Sequence, residues 1–307
     1  MGIDWLDLLA CPRDGSDLEG DPAREVGCLR CGKAWRAEDG VLRFLRGVAT
    51  HEQVVRDALS DTYDDDLPAL SDTVEVPLGL KALGVRPGDR VAEIGAGTGR
   101  FTRGFAAKAS ATVAVDYSAE SLLRLREKLP ADVRPRVLLV QADAAATPFK
   151  PGTFDRSAAF NMLQHLPTAE QRLEVVRRGA NAVRPGGPFV LTAYHWSRHK
   201  QAVAARGEGD YACKEGLHDN GVFYRNFDEA ELRALFAEAG LAVDRVQGLI
   251  VGFRGARLLG PLLAPLNRLI ASTRWCVARS HYILVRGVRP SVPAPLEARS
   301  ADEAIRS

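Results

Sequence analysis

The run Val91-Ala92-Glu93-Ile94-Gly95-Ala96-Gly97-Thr98-Gly99-Arg100 constrains this chain more than any other stretch. A short apolar strand leads straight into three glycines, and an amphipathic segment follows. Glycine lacks a Cβ and tolerates positive φ, so the backbone there can turn sharply and approach a ligand closely. A helix that starts at such a turn points its first N–H groups at whatever occupies it.

The pattern around the turn repeats strand, then helix. Strands are expected at Arg90–Ile94, Thr112–Asp116, Arg136–Val140, Phe154–Phe160, Pro188–Tyr194, Ala242–Gln247 and His281–Arg286. Helices fit Arg100–Lys108, Ala119–Leu129, Ala169–Ala182 and Asp228–Ala239, the last with Asp228 and Glu231 spaced as a capping box. The alternation predicts an α/β domain over residues 72–289, with a seven-stranded, mostly parallel sheet and helices on both faces.

The chemistry of the turn narrows its ligand. A dinucleotide fingerprint, G-x-G-x-x-G, would need glycine where Arg100 stands. Glu93 beside the turn would repel a pyrophosphate, yet suits an amino group or a sulfonium. Asp116 ends the second strand about 20 residues past the turn, where it can accept from ribose hydroxyls. Asp143 places another carboxylate at the same rim, suited to an adenine amino group, and Tyr117 can cover an adenine face.

Glu93-Ile-Gly-Ala-Gly-Thr-Gly99, Val115-Asp-Tyr-Ser118, Gln141-Ala-Asp-Ala144 with Pro148-Phe149, Phe154-Asp155 and Arg184-Pro-Gly-Gly-Pro188 follow one another in order. Together they resemble the Rossmann-like S-adenosylmethionine-dependent methyltransferases of the broad "type 11" group, over roughly residues 72–250. The resemblance implies S-adenosyl-L-methionine as cofactor. It puts Glu93, Gly95, Gly97 and Gly99 around the methionine part, Asp116 on the ribose, and Asp143 with the backbone of Ala144 on the adenine; Ala96, Tyr117 and Asn161 complete the expected cofactor-binding set.

Reacting groups in such sheets lie beyond the C-terminal strand ends. Asn161, Gln164 and His165 follow the fourth strand. His165 resembles a family histidine that serves packing more often than proton transfer. An insertion over 195–227 follows the fifth strand and is dense in His, Tyr, Arg and Lys, as binding loops are. Tyr194, His195, His218 and Tyr224 are placed there to flank a methyl path and, with His165, are the candidate catalytic residues. An oxygen acceptor needs its proton removed, with His195 or His218 the candidate base, whereas a nitrogen or carbon nucleophile needs no strong base, and the sequence does not choose among them.

The N-terminus reads differently. Cys11-Pro-Arg-Asp14 and Cys28-Leu-Arg-Cys31 resemble the paired knuckles of a small zinc-ribbon-like β module over 1–46, akin to activators of tRNA and protein methyltransferases. Asp14 stands where the pattern has cysteine. Cys11, Asp14, Cys28 and Cys31 can still form a tetrahedral zinc site, or the module can fold on its apolar residues with free thiols. Residues 47–71, polar and acidic, read as a linker or a mobile lead-in helix, and 290–307 as a disordered tail.

From Arg245 to Pro295 there are eight arginines and no Asp or Glu, and 252–280 reads as a basic amphipathic segment interrupted by Pro261 and Pro265. It fits a helical lid, a dimer face, or peripheral contact with an anionic membrane. No stretch approaches the roughly 20 apolar residues of a transmembrane helix, and the N-terminus carries acids where a signal peptide carries bases, so a cytoplasmic enzyme is expected. With a net charge of +2, the chain has no overall bias toward polyanions. The expected acceptor is a small molecule or a lipid-linked intermediate. RNA is the alternative acceptor, and a non-catalytic methyltransferase activator is the third reading.

Overall fold

A computed structural model describes residues 3–45, 49–65, 67–68, 70–207, 213–250 and 256–291. The expected tail beyond 291, the centre of the 195–227 insertion and residues 252–255 of the basic segment lie outside these residues.

Four short strands come first: β1 (Leu18–Asp21), β2 (Glu25–Cys28), β3 (Ala34–Glu38) and β4 (Val41–Arg43), each antiparallel to the next. Helices α1 (His51–Leu59) and α2 (Val76–Leu83) lead to β5 (Arg90–Ile94), α3 (Thr102–Phe105), β6 (Ala111–Asp116), α4 (Ala119–Lys128) and β7 (Val137–Gln141). Then follow β8 (Arg156–Phe160), α5 (Ala169–Ala182), β9 (Pro188–Tyr194), α6 (Arg198–Ala204), β10 (Glu215–Leu217), β11 (Phe223–Arg225) and α7 (Glu229–Glu238). The last elements are β12 (Ala242–Leu249), α8 (Ala256–Ile270), α9 (Arg274–Arg279) and β13 (Tyr282–Val288).

The main sheet has the order β1-β2-β3-β4-β7-β6-β5-β8-β9-β13-β12. Its seven expected strands are present, with β13 antiparallel to both neighbours. The sheet nevertheless has eleven strands rather than seven, because β4 pairs in parallel with β7, Val41 opposite Leu139. An unpaired β7 edge would leave a row of backbone donors and acceptors open. The N-terminal ribbon covers that edge. It also shares its core with the rest: Leu8, Leu9, Val26, Trp35, Leu42 and Phe44 pack in one cluster with Phe149 and Phe154.

Burial explains the strand sequences. In β5 every residue after Arg90 is buried, as in a parallel sheet covered on both faces. The capping box at the start of α7 is present, with both reciprocal bonds between Asp228 and Glu231. The helix expected over Arg100–Lys108 is regular only at Thr102–Phe105. Gly104 weakens it from within, and its missing Cβ would lie 2.4 Å from Leu80 Cδ1, where α2 presses close. Among the described residues no helix is long and apolar enough to cross a membrane.

Candidate active site

After β5 the chain crosses Gly95 (φ 73°), Gly97 (φ 53°) and Gly99 (φ 84°), all in the left-handed region. The turn is stitched to β6: Gly95 and Ala96 donate to the Val115 carbonyl at 2.8 and 2.9 Å. Gly97 N–H donates to Asp116 Oδ2 at 2.8 Å, and Ser118 N–H to Asp116 Oδ1 at 2.9 Å. The Asp116 carboxylate therefore holds the turn as well as offering lone pairs outward.

The three glycines are constrained differently. A Cβ on Gly95 would meet Met162 Cβ at 2.6 Å, and one on Gly99 would meet Leu125 Cδ1 at 2.1 Å. A Cβ on Gly97 would meet nothing within 4 Å. The open space there belongs to a cavity of about 390 Å³, lined by Glu93, Gly95, Ala96, Gly97, Asp116, Tyr117, Asp143, Ala144 and Asn161. Gly99 is not on its wall; it lets α4 pack against the turn.

The cavity is crowded with carboxylates. Burial pushes the Glu93 carboxyl up to about 8, the nearby Asp116 charge adds to the rise, and the Thr102 hydroxyl donating at 2.5 Å opposes it. Burial also raises Asp116. Glu52 rises through burial, with Arg56 opposing and Asp116 and Asp143 adding. Such a wall disfavours a diphosphate and favours a cation or hydroxyl donors. The raised Glu93 has a consequence for stability. A carboxyl whose native pKa lies above its unfolded 4.5 stabilises the fold below 4.5, and that contribution is lost as pH rises through about 8. The ligand-free protein should therefore melt at progressively lower temperature as pH is raised between about 6 and 8, and Glu93→Gln should flatten the slope in calorimetric scans.

The lead-in roofs this cavity. Thr50 caps α1, accepting from Gln53 N–H, and His51, Glu52, Arg56, Leu59 and Tyr63 line the wall opposite the turn. Acids of the lead-in fasten it down: Asp64 takes Lys128 at 2.8 Å and the Thr98 hydroxyl at 2.6 Å, and Asp61 takes Arg124. No motif in residues 49–65 announced this role. Glu75 was equally unannounced beyond being a lone acid inside Val74-Glu75-Val76-Pro77-Leu78. Fully buried, it accepts from Arg100 Nη2 at 2.9 Å and from the Asn161 amide. Asn161 itself has φ 51°, a sparsely populated conformation for a non-glycine residue, and its Oδ1 accepts from Thr192. Its amide is thereby occupied within the protein, and Gln164, expected beside it at the rim, is 99% buried.

Of the five candidate catalytic residues, His165 alone lines the cavity. Its Nδ1 lies 3.0 Å from the Phe223 carbonyl, which can only accept, so Nδ1 carries the hydrogen and Nε2 keeps its lone pair. Burial first, and then the Arg56 charge, hold its pKa well below 6.5, so the ring is neutral at pH 7. Tyr194, His218 and Tyr224 gather behind it: His165 stands 5.9 Å from Tyr194 and 6.0 Å from His218, and His218 4.9 Å from Tyr224, between ring centroids.

His195 does not join them. Ser280 donates its hydroxyl to Val277, so His195 Nδ1–H donates to Ser280 Oγ at 2.7 Å, tying the end of β9 to the start of β13. Successive residues of a strand face opposite sides, and with Tyr194 toward the cluster His195 faces away. Much of the insertion's charge is also spent internally. Arg225 pairs with Glu215 and Glu231, and Lys214 with Asp228 and Glu231.

In the ribbon, one ligand atom from each of Cys11, Asp14, Cys28 and Cys31 lies within 4.8 Å of the others. Cys11 Sγ is 3.8 Å from Cys31 Sγ, and Cys28 Sγ is 3.6 Å from Asp14 Oδ1. Ligands about 2.3 Å from a tetrahedral zinc are about 3.8 Å apart, so the set fits that ion. The N–H groups of Arg30 and Cys31 point at Cys28 Sγ from 3.4 and 3.3 Å, as in a metal knuckle.

Residues 91–187 match the family model described as "Methyltransferase domain". The chain is 31% identical over 162 residues to 27-O-demethylrifamycin SV methyltransferase of Amycolatopsis mediterranei, covering 52% of this chain and 56% of that protein. It is 29% identical over 170 residues to the ubiquinone biosynthesis O-methyltransferase of Xanthomonas euvesicatoria, covering 53% and 66%. This chain thus spans between half and two thirds of the length of those relatives. Among solved structures, the fold is similar to Burkholderia thailandensis 1,6-didemethyltoxoflavin-N1-methyltransferase with bound 1,6-didemethyltoxoflavin and S-adenosylhomocysteine: TM-score 0.51, 20% identity, 87% of this chain and 100% of that one.

Proposed function

We propose that this chain, which carries a methyltransferase domain at residues 91–187, transfers the methyl group of S-adenosylmethionine to an oxygen of a small or lipid-linked acceptor. The observation that supports this most is the acid-walled cavity over Gly97, with Glu93, Asp116 and Asp143 around it. The names of the two curated relatives favour oxygen over nitrogen as the accepting atom.

Bound S-adenosylmethionine supplies an electrophilic methyl group on a sulfonium. The chain's own residues position it. Gly97 leaves room for close backbone approach; when the cofactor is bound, Asp116 would accept hydrogen bonds from the ribose hydroxyls, Asp143 would accept from the adenine amino group, and Glu93 would hold the positive methionine end. Because the donor is already activated, orientation contributes most of the acceleration. His165 Nε2 removes the acceptor's hydroxyl proton as its oxygen attacks, with Nδ1–H anchored on Phe223.

Incubation with methyl-labelled donor and fractionated cell extract tests the reading: label should enter small-molecule or lipid fractions, and label in RNA would contradict it. In the same assay His165→Ala should lower kcat roughly 100-fold or more while KM for the donor changes little. Unchanged turnover would remove histidine base catalysis.

We also infer that Cys11, Asp14, Cys28 and Cys31 hold a structural zinc, which would brace the ribbon that covers the β7 edge. Protein purified without chelator should contain about one zinc per chain, and Cys28→Ser should lose it. Zinc content near zero in the unaltered protein would dismiss the site.

A further inference from the structure

The chain between β12 and β13 carries α8 and α9, and among the described residues neither helix contributes to the cavity wall. β12 runs in the same direction as β9 and β5, so its C-terminal end lies at the rim that carries the cavity. From that rim rise α8 and α9. The inward face of α8 is settled: Ala264, Asn267 and Ala271 are buried, and Ala264 and Ala271 pack with Leu70 and Val74 of the turn that ends in Glu75.

The outward face is apolar as well. Leu262, Leu266 and Leu269, spaced on one helical stripe, are 77%, 53% and 80% exposed, and Trp275 of α9 is 53% exposed. These four are the majority of the seven large hydrophobics exposed among the described residues. Beside them Arg268, Arg274 and Arg279 are exposed, and no carboxylate pairs with any of them among the described residues. Arg279 rests on the Trp275 ring at 4.9 Å. No Asp or Glu occurs anywhere from Arg245 to Pro295.

We infer that this α8–α9 face docks on an anionic lipid bilayer, leucines in the acyl boundary and arginines at the headgroups. Two features of the face select that occupant. Exposed leucines gain nothing on a phosphate backbone but gain from leaving water for hydrocarbon. A second copy of the same face would set arginines against arginines, with no acid to relieve them. Docked this way, the rim of the cavity faces the bilayer, and the acceptor is a lipid-linked hydroxyl compound. That last clause rests on the methyltransferase reading, whereas membrane docking does not.

Sedimentation of the full chain with phosphatidylcholine vesicles, with and without roughly 30 mol% phosphatidylglycerol, tests it. The protein should sediment with the anionic vesicles and stay in solution with neutral ones. Leu262→Ser with Leu269→Ser, and separately Arg268→Glu with Arg274→Glu, should each weaken the partition on the order of tenfold. All four side chains are exposed, so the melting temperature should hold. No sedimentation with anionic vesicles, or unchanged binding by the leucine variant, overturns the inference. A concentration-dependent dimer in ultracentrifugation that the leucine variant abolishes overturns it too, by assigning the face to a second copy. Vesicle binding without any heat on adding S-adenosylhomocysteine would keep the docking face and remove the methyltransferase reading instead.

Discussion

Gly97→Val should cost the protein most of its affinity for S-adenosylhomocysteine while leaving it folded. The position is unusual among the three glycines because nothing lies within 4 Å of where a Cβ would stand. A side chain at φ 53° pays a strain of about 1–2 kcal/mol, small enough for the domain to survive. It also projects into the cavity where the ligand backbone must approach. A loss of roughly 100-fold in affinity, about 2.7 kcal/mol, is expected by calorimetry. Gly99→Val should behave in the opposite sense. Its side chain would strike Leu125, so the fold weakens before the ligand is considered. If Gly97→Val bound as tightly as the parent protein, the cavity over the turn would not be the cofactor site.

Glu75→Ala should produce the largest loss of stability of any single substitution near the site. Its carboxylate is fully buried against Arg100, whose side chain is 8% exposed. Among the described residues the other partners of Arg100 are looser: Asp72 lies 4.0 Å from its Nη1, and the Phe101 ring centroid 5.0 Å from its guanidinium carbon. Removing the acid leaves a buried guanidinium uncompensated, at a cost of about 3–5 kcal/mol. In a chain of this size that lowers the melting temperature by roughly 5–8 °C. Glu75 also accepts from the Asn161 amide, so the strained Asn161 loses an anchor as well. Glu75→Gln should be milder, since it keeps a hydrogen-bonding oxygen for Asn161. A loss under about 1 kcal/mol for the alanine variant would mean that water reaches Arg100.

The parts of this site that were legible from residues alone are those governed by local rules. Glycine at three positions, an acid at each of two strand ends and an apolar run before them are local features, and Gly95, Gly97, Asp116 and Asp143 do line one cavity, while Gly99 serves the packing of α4. What was not legible depends on chain returning from a distance. The roof over residues 49–65 is held by single ion pairs to α4, such as Asp64 with Lys128, and a lone acid–base pair leaves no periodic trace. The extension of the sheet is similar: Val41-Leu42-Arg43 reads as an apolar strand, but nothing in it names β7 as its partner. His195 went astray for a finer reason. The residue next to a functional strand end is close in sequence and on the other face, and only the Ser280 contact shows which face is which.

The acid-walled cavity over Gly97 is expected to receive an adenosyl sulfonium compound and to exclude a dinucleotide. Titration calorimetry of the purified chain with S-adenosylmethionine, S-adenosylhomocysteine and NAD measures this directly. One site per chain for each sulfur compound, with roughly micromolar affinity and abolished by Asp116→Ala, is the expected result, together with no heat from NAD. Binding of NAD, or silence with both sulfur compounds, would contradict it.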